Sequence, residues 1–165
     1  MAKSKIIQTI KRPRSFFSAD VEKITKVKRN RLYAWVAQGW ITPSIKESEG
    51  TGSHNEYSEI DLVIISIFKK LVESGLSRKT VATFVPALRG LKDDLRRVRI
   101  PSELNYEPLW ILFFRKDGTP TEYISFLSDD VKDAFTSPNA LDADDIIGLN
   151  IAKVFVEISK GISNR

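Results

Sequence analysis

The apolar positions change period several times along the chain, and each change marks a predicted element. Ile6, Ile7 and Ile10 stand in a basic, Pro-interrupted stretch over 1–17 that reads as an N-terminal arm. Ser18, followed by Asp20 and Glu22, opens a short helix through Ile24, because a hydroxyl caps free N–H groups and the helix dipole favours early acids. Lys26 and Val27 make a turn, and a second short helix from Lys28 to Gln38 stops at Gly39, with Pro43 just beyond. From Trp40 to Tyr57 the helical period is lost: Ile41 and Ile45 sit among polar residues and Gly50 to Ser53 form a turn, which predicts a β-hairpin. Ser58 opens a longer helix with Leu62, Ile65, Phe68 and Leu71 at helical spacing, ending before Gly75. Ser77 caps another that carries Val81 and Phe84 and should stop at Pro86. One more, from Ala87 to Val98, aligns Leu88, Leu91 and Leu95 before Pro101 ends it.

Residues 102–108 read as a linker. Leu109 to Phe114 and Glu122 to Leu127 are β-rich runs joined across Asp117, Gly118, Thr119 and Pro120, a strong hairpin signal. A short helix follows Ser128, and Ile147, Ile151, Val154, Phe155, Ile158 and Ile162 trace a helical stripe to the C-terminus. The predicted fold class is mainly α with β-hairpins. A helix-turn-helix domain with a hairpin wing over 18–100 precedes a small α+β module over 101–165.

Composition adds bounds. The 165 residues are 42% hydrophobic and 28% charged, enough for one domain or two small ones. The absence of cysteine excludes disulfides, thiolate metal sites and thiol sensing. No run approaches the roughly 18 apolar residues of a membrane span, so no membrane association is expected and the cytoplasm is the expected location. The net charge of +5 hides an asymmetry: residues 1–100 hold 20 Lys/Arg against 10 Asp/Glu, and residues 101–165 hold 6 against 11. The first 31 residues alone carry ten bases and two acids, the footprint of a polyanion partner.

Two short helices, a turn, a hairpin and two more helices in a basic region describe a winged helix-turn-helix. From Phe17 to Phe84 the chain also resembles the MerR family of bacterial transcription regulators. The resemblance rests on Val27 at the turn, Leu32 and Trp35 in the second helix, and Gly39, Trp40, Ile41 and Pro43 after it, without a gap. Tyr57, Ser58, Asp61, Leu62, Ile65, Phe68 and Leu71 continue it in register, and Gly75, Leu76 and Ser77 close it. Most of these positions are expected to be core. The polar residues between them, Lys28, Arg29, Asn30, Arg31 and Tyr33, are the candidates for DNA contact. Arg can pair bidentately with guanine and Asn with adenine, whereas Lys holds phosphate as readily as base.

The resemblance further implies that a wing brings Lys46, Ser53, His54, Asn55 and Tyr57 near the DNA backbone. Arg12 and Arg14 in the arm are further candidates. Two positions depart from the family pattern: Asn55 and Tyr33 stand where Arg is usual, which shifts phosphate anchoring toward Arg31, Lys28 or the arm. His54, the sole histidine, lacks the Cys or carboxylate company of a metal ligand. The acids Asp129, Asp130 and Asp133, and Asp142, Asp144 and Asp145, lack calcium-loop spacing and read as helix-start acids or a solvated face. No nucleophile and base pairing, phosphate loop or dinucleotide fingerprint is legible, so neither an enzyme nor a cofactor is expected.

By the same resemblance the protein is expected to bind a pseudo-palindromic promoter site in double-stranded DNA as a homodimer, distort it, and alter RNA polymerase access. Trp110, Phe113, Tyr123, Phe126 and Phe155 are read as plain core or as an effector pocket or dimer contact, core being the commoner use of such aromatics. The absence of cysteine argues against the thiol-based sensors of the family and leaves an organic molecule, a protein partner or no effector at all. The alternatives are an architectural or excisionase-like DNA-binding factor without effector, and a protein-interaction adaptor on the same fold.

Overall fold

The computed structural model of the chain describes residues 14–90, 109–117, 119–127 and 142–164. Helix α1 spans Ser18–Thr25, α2 Arg29–Ala37, α3 Glu59–Glu73 and α4 Arg78–Gly90. Strand β1 spans Leu109–Lys116, β2 Thr119–Leu127 and β3 Asp145–Asn150, and α5 closes the chain over Ile151–Ser163. Helices predominate among the described residues, which also hold an antiparallel sheet in the order β2-β1-β3. Among the described residues no helix is long and apolar enough to cross a membrane.

The first helical pair is set by short-range chemistry. The cap of α1 is Phe17 rather than Ser18: Asp20 reaches back to accept the Phe17 N–H at 3.0 Å. A carboxylate three residues inside the helix thus satisfies a donor that a capping hydroxyl cannot reach. At the other end Thr25 Oγ1 donates to the Val21 carbonyl at 2.7 Å and accepts the Val27 N–H at 3.2 Å. Lys26 between them is left-handed, with φ 60°, and Val27 is fully buried, so the chain reverses over two residues and α2 begins. Gly39, at φ +69°, ends α2 in the conformation that favours glycine.

Helix α3 is the central element. Ser58 caps it by accepting the Asp61 N–H, and Asp61 accepts the Ser58 N–H at 2.8 Å. Leu62 to Phe68 are all buried, so α3 is surrounded, as expected of a helix apolar on every face. Trp35 and Trp40 both meet Phe68, with ring centroids 4.6 and 6.4 Å away. Helix α4 follows a Ser77 cap, whose Oγ accepts the Thr80 N–H at 3.0 Å.

Two expectations are overturned. Pro86 does not stop the fourth helix, which runs on to Gly90. The ring costs one backbone bond, but Val81, Val85 and Leu88 are buried on a single stripe that spans it, and Pro86 itself faces solvent. The helix expected from Ala87 is therefore a continuation, and its part beyond Gly90 lies outside the described residues. So do the linker over 102–108, the short helix after Ser128, and Asp129, Asp130 and Asp133.

The second correction concerns Ile147, which begins no helix. It lies on β3, opposite Phe113 on β1. Asp142, Asp144 and Asp145 before it lie on a solvated face, as one of the two readings had it, and are also engaged: Arg115 pairs with Asp145, Lys116 Nζ lies 2.6 Å from Asp142 Oδ2, and Asp144 accepts the Asp117 N–H at 2.6 Å. The hydrogen bond from Arg115 holds the Asp145 carboxyl below the usual carboxylate range.

β1 is apolar on both faces, and both are covered. Ile111 and Phe113 join the main core, which also takes in Ile151, Val154, Phe155 and Ile158 of α5. Leu112 and Phe114 pack on the opposite side with Trp110, Ala143 and Ile146. Helix α5 packs against β1, α1 and α3, so one hydrophobic core joins the N-terminal helices to the sheet. At the α1 crossing a side chain on Gly161 would come within 2.9 Å of Ile24 Cγ2, so glycine permits the close approach.

Candidate nucleic-acid interface

Helix α2 presents two unlike faces. Leu32 is 0% exposed and Trp35 2%, and each contributes about 1.5–3 kcal/mol of apolar burial that holds the helix on the core. Lys28, Arg29, Asn30, Arg31 and Tyr33 are all exposed, as the sequence predicted. Tyr33 is 49% exposed, unusual for so large an apolar body, and Phe17 is 43% exposed.

The segment after α2 doubles back on itself. Backbone bonds between Lys46 and Glu56 close it, and Gly50 and Gly52 occupy its tip with positive φ. Lys46 and His54 are exposed, and the His54 ring meets Phe17 edge-on at 6.4 Å. Ser53 and Asn55 have internal roles: Ser53 Oγ accepts the Glu49 N–H at 2.7 Å, and Asn55 Oδ1 accepts the Ser48 N–H at 2.8 Å. These bonds shape the loop, and both side chains stay partly exposed.

Tyr57 is a correction of another kind. Its side chain is 0% exposed, so it packs the core and cannot reach out to a ligand. Burial raises its phenol above the ordinary value, against hydrogen bonds from Asn55 and Ser18 that lower it. Its backbone pairs with Phe16 through two bonds of 2.9 Å. The end of the arm is thereby tied to the base of the loop: Phe16 is buried and Arg14 is exposed two residues before it. Arg12 lies outside the described residues.

Three residues whose pairing the sequence did not reveal organise this surface: Glu22, Asp61 and Arg89. Glu22 on α1 accepts Arg29 Nε at 3.0 Å and stands 3.5 Å from Lys28 Nζ. Asp61, fully buried, accepts from Ser44 N and Oγ at 3.0 and 2.6 Å and from Arg89 Nη1 at 2.9 Å. Arg89 also donates to the Thr42 carbonyl. Helices α3 and α4 therefore pin the turn that leaves α2. A buried carboxylate needs such company, yet no local pattern announces which arginine supplies it.

The expected effector or dimer aromatics divide. Phe113 and Phe155 are buried in the core, Phe113 against Phe84 at 5.1 Å, and Trp110 is half-buried on the opposite sheet face. Tyr123 and Phe126 stand on β2, paired with Phe113 and Trp110.

Two helices joined by a tight turn, the second exposing a cationic and amide-bearing face beside a short antiparallel loop, define a helix-turn-helix domain. Residues 18–88, under half of the chain, match the family model described as MerR HTH family regulatory protein, so this segment is similar to a MerR-type helix-turn-helix domain. Two relatives are the uncharacterised HTH-type transcriptional regulators Mb1861 of Mycobacterium bovis and Rv1830 of Mycobacterium tuberculosis. Each is 31% identical over 72 residues, a stretch covering 42% of this chain and 32% of the relative. The chain thus spans about a third of the length of the curated relatives it matches.

Proposed function

We propose that the protein is a transcription regulator that binds double-stranded DNA sequence-specifically as a homodimer. Helix α2 enters the major groove, with Arg29, Asn30 and Tyr33 reading bases and Lys28 and Arg31 holding phosphate. The loop over 44–57 serves as a wing against the backbone through Lys46 and His54, and Arg14 extends the contact. Two copies engage a pseudo-palindromic promoter element and distort it, which changes its use by RNA polymerase. The C-terminal module is the site of dimerisation or of an effector. The role is one of binding, not catalysis.

The observation that carries this reading is the exposure of Lys28, Arg29, Asn30, Arg31 and Tyr33, at the cap and first turns of α2 on either side of buried Leu32, directly after the turn anchored by buried Val27. A solvated helix has no need to concentrate four of its polar groups at its N-terminal end, where a recognition helix meets the bases.

The test is to incubate the protein with sheared genomic DNA, sequence what it retains, and repeat with Arg29 and Arg31 both changed to Ala. Enrichment of a few two-fold symmetric sites, lost in the double variant, is the expected result. Salt-sensitive retention of all fragments alike would instead identify an architectural factor, and no retention at moderate salt an adaptor.

A further inference from the structure

The contact between α1 and α2 contains an acid where a polyanion is expected to dock. Glu22 lies on α1 between two anchored neighbours, Val21 at 0% and Ile24 at 8% exposure, so the carboxylate springs from a fixed backbone. Its side chain is 27% exposed, against 56% for Arg29 and 84% for Lys28. Oε2 takes the Arg29 Nε–H at 3.0 Å while Oε1 stands 3.5 Å from Lys28 Nζ. An ion pair this exposed adds little to stability, so its consequence must be sought in what it does to the arginine.

We propose that Glu22 is a specificity-determining positioning residue for DNA: it fixes the Arg29 guanidinium for a guanine edge and suppresses sequence-independent binding. This rests on the reading of α2 as the recognition helix. Arg29 is the first residue of α2, the end that meets bases in this type of domain. A carboxylate on Nε engages the side of the planar fork and leaves Nη1 and Nη2, the pair that matches guanine O6 and N7. A lone arginine would lose rotamer freedom on binding, whereas one already clasped loses less.

The second effect is electrostatic. Phosphate attraction carries no sequence information, and an acid at the groove lowers it for every duplex equally. A matched guanine regains the difference through directed hydrogen bonds; a mismatched base does not. The same acid that weakens gross attraction therefore widens the gap between right and wrong sites.

The experiment compares wild type, Glu22→Ala, Glu22→Gln, Arg29→Ala and the Glu22→Ala/Arg29→Ala pair on a duplex enriched from genomic DNA and on a scrambled duplex, across a salt series. Thermal midpoints are measured first, and Glu22→Gln carries the comparison if the alanine variant does not fold. Glu22→Ala is expected to bind scrambled DNA more tightly. It should also lose at least about fivefold in discrimination, the lower end of one bidentate contact. Glu22→Gln, which keeps an acceptor but no charge, should gain scrambled binding while retaining part of the discrimination. The pair should discriminate no worse than Arg29→Ala alone, because both changes remove one contact.

Unchanged discrimination in Glu22→Ala overturns the proposal, as do losses that add in the pair. Increased discrimination overturns it differently, by showing that Glu22 sequesters Arg29 from DNA. Wild-type protein that prefers no duplex would overturn the recognition-helix reading and this inference with it, an outcome distinct from the others.

Discussion

Arg89→Ala tests whether the turn after α2 is held from the far side of the molecule. Asp61 is fully buried, while the Arg89 side chain is 29% exposed. Removing one member of a buried pair costs about 3–5 kcal/mol, because a charge is left uncompensated. Here the loss is smaller: Asp61 keeps its bonds from Ser44 and Ser58, and the vacated space opens to water. About 2–3 kcal/mol is expected, including the bond to the Thr42 carbonyl. For a chain of this length that lowers the thermal midpoint by roughly 5–10 °C. Urea or thermal unfolding followed by circular dichroism measures it. A companion Asp61→Asn and the double variant close a cycle in which the double change should cost less than the sum of the single ones. If Arg89→Ala costs under about 0.5 kcal/mol, the pair is surface decoration, and the account of how α4 and the exit from α2 are joined fails.

Gly161→Ala pits two effects against each other: alanine is favoured over glycine inside a helix by about 1 kcal/mol, but its Cβ would stand 2.9 Å from Ile24 Cγ2. Overpacking of a stiff, β-branched neighbour costs about 1–3 kcal/mol, so net destabilisation is expected, and a raised midpoint would show that α5 yields freely at α1. Tyr57 gives a pH signature. Burial raises its folded-state value above 10.0, so its contribution to stability is complete below pH 10.0 and is lost as pH rises through the folded value. In a tyrosinate absorbance titration one of the four tyrosines should ionise late and together with unfolding, and Tyr57→Phe should delete that step.

The sequence by itself determined the elements whose signals are local. Ser58, Gly39 and Gly75 mark helix boundaries where they were expected, and the Leu62 to Leu71 stripe identifies the central helix, because caps and apolar periodicity act within a few residues. The exposed α2 residues followed from the same period. It was also enough to recognise the resemblance to a MerR-type domain, since the matched spacings are those that pack it.

Only the tertiary structure decided the rest. Pro86 passes inside a helix because burial of Val81, Val85 and Leu88 outweighs one missing hydrogen bond. Asp145 to Asn150 form a strand because β1 offers an open edge and Arg115 a partner for Asp145, neither of them a neighbour in sequence. Glu22 with Arg29, and Asp61 with Arg89, are seven and 28 residues apart and belong to different helices. Electrostatic pairing is a property of where side chains arrive in space, and no periodicity encodes it. Most positions in contact with the core were therefore legible in advance, Tyr57 being the exception, while the charges that tie one helix to the next were not.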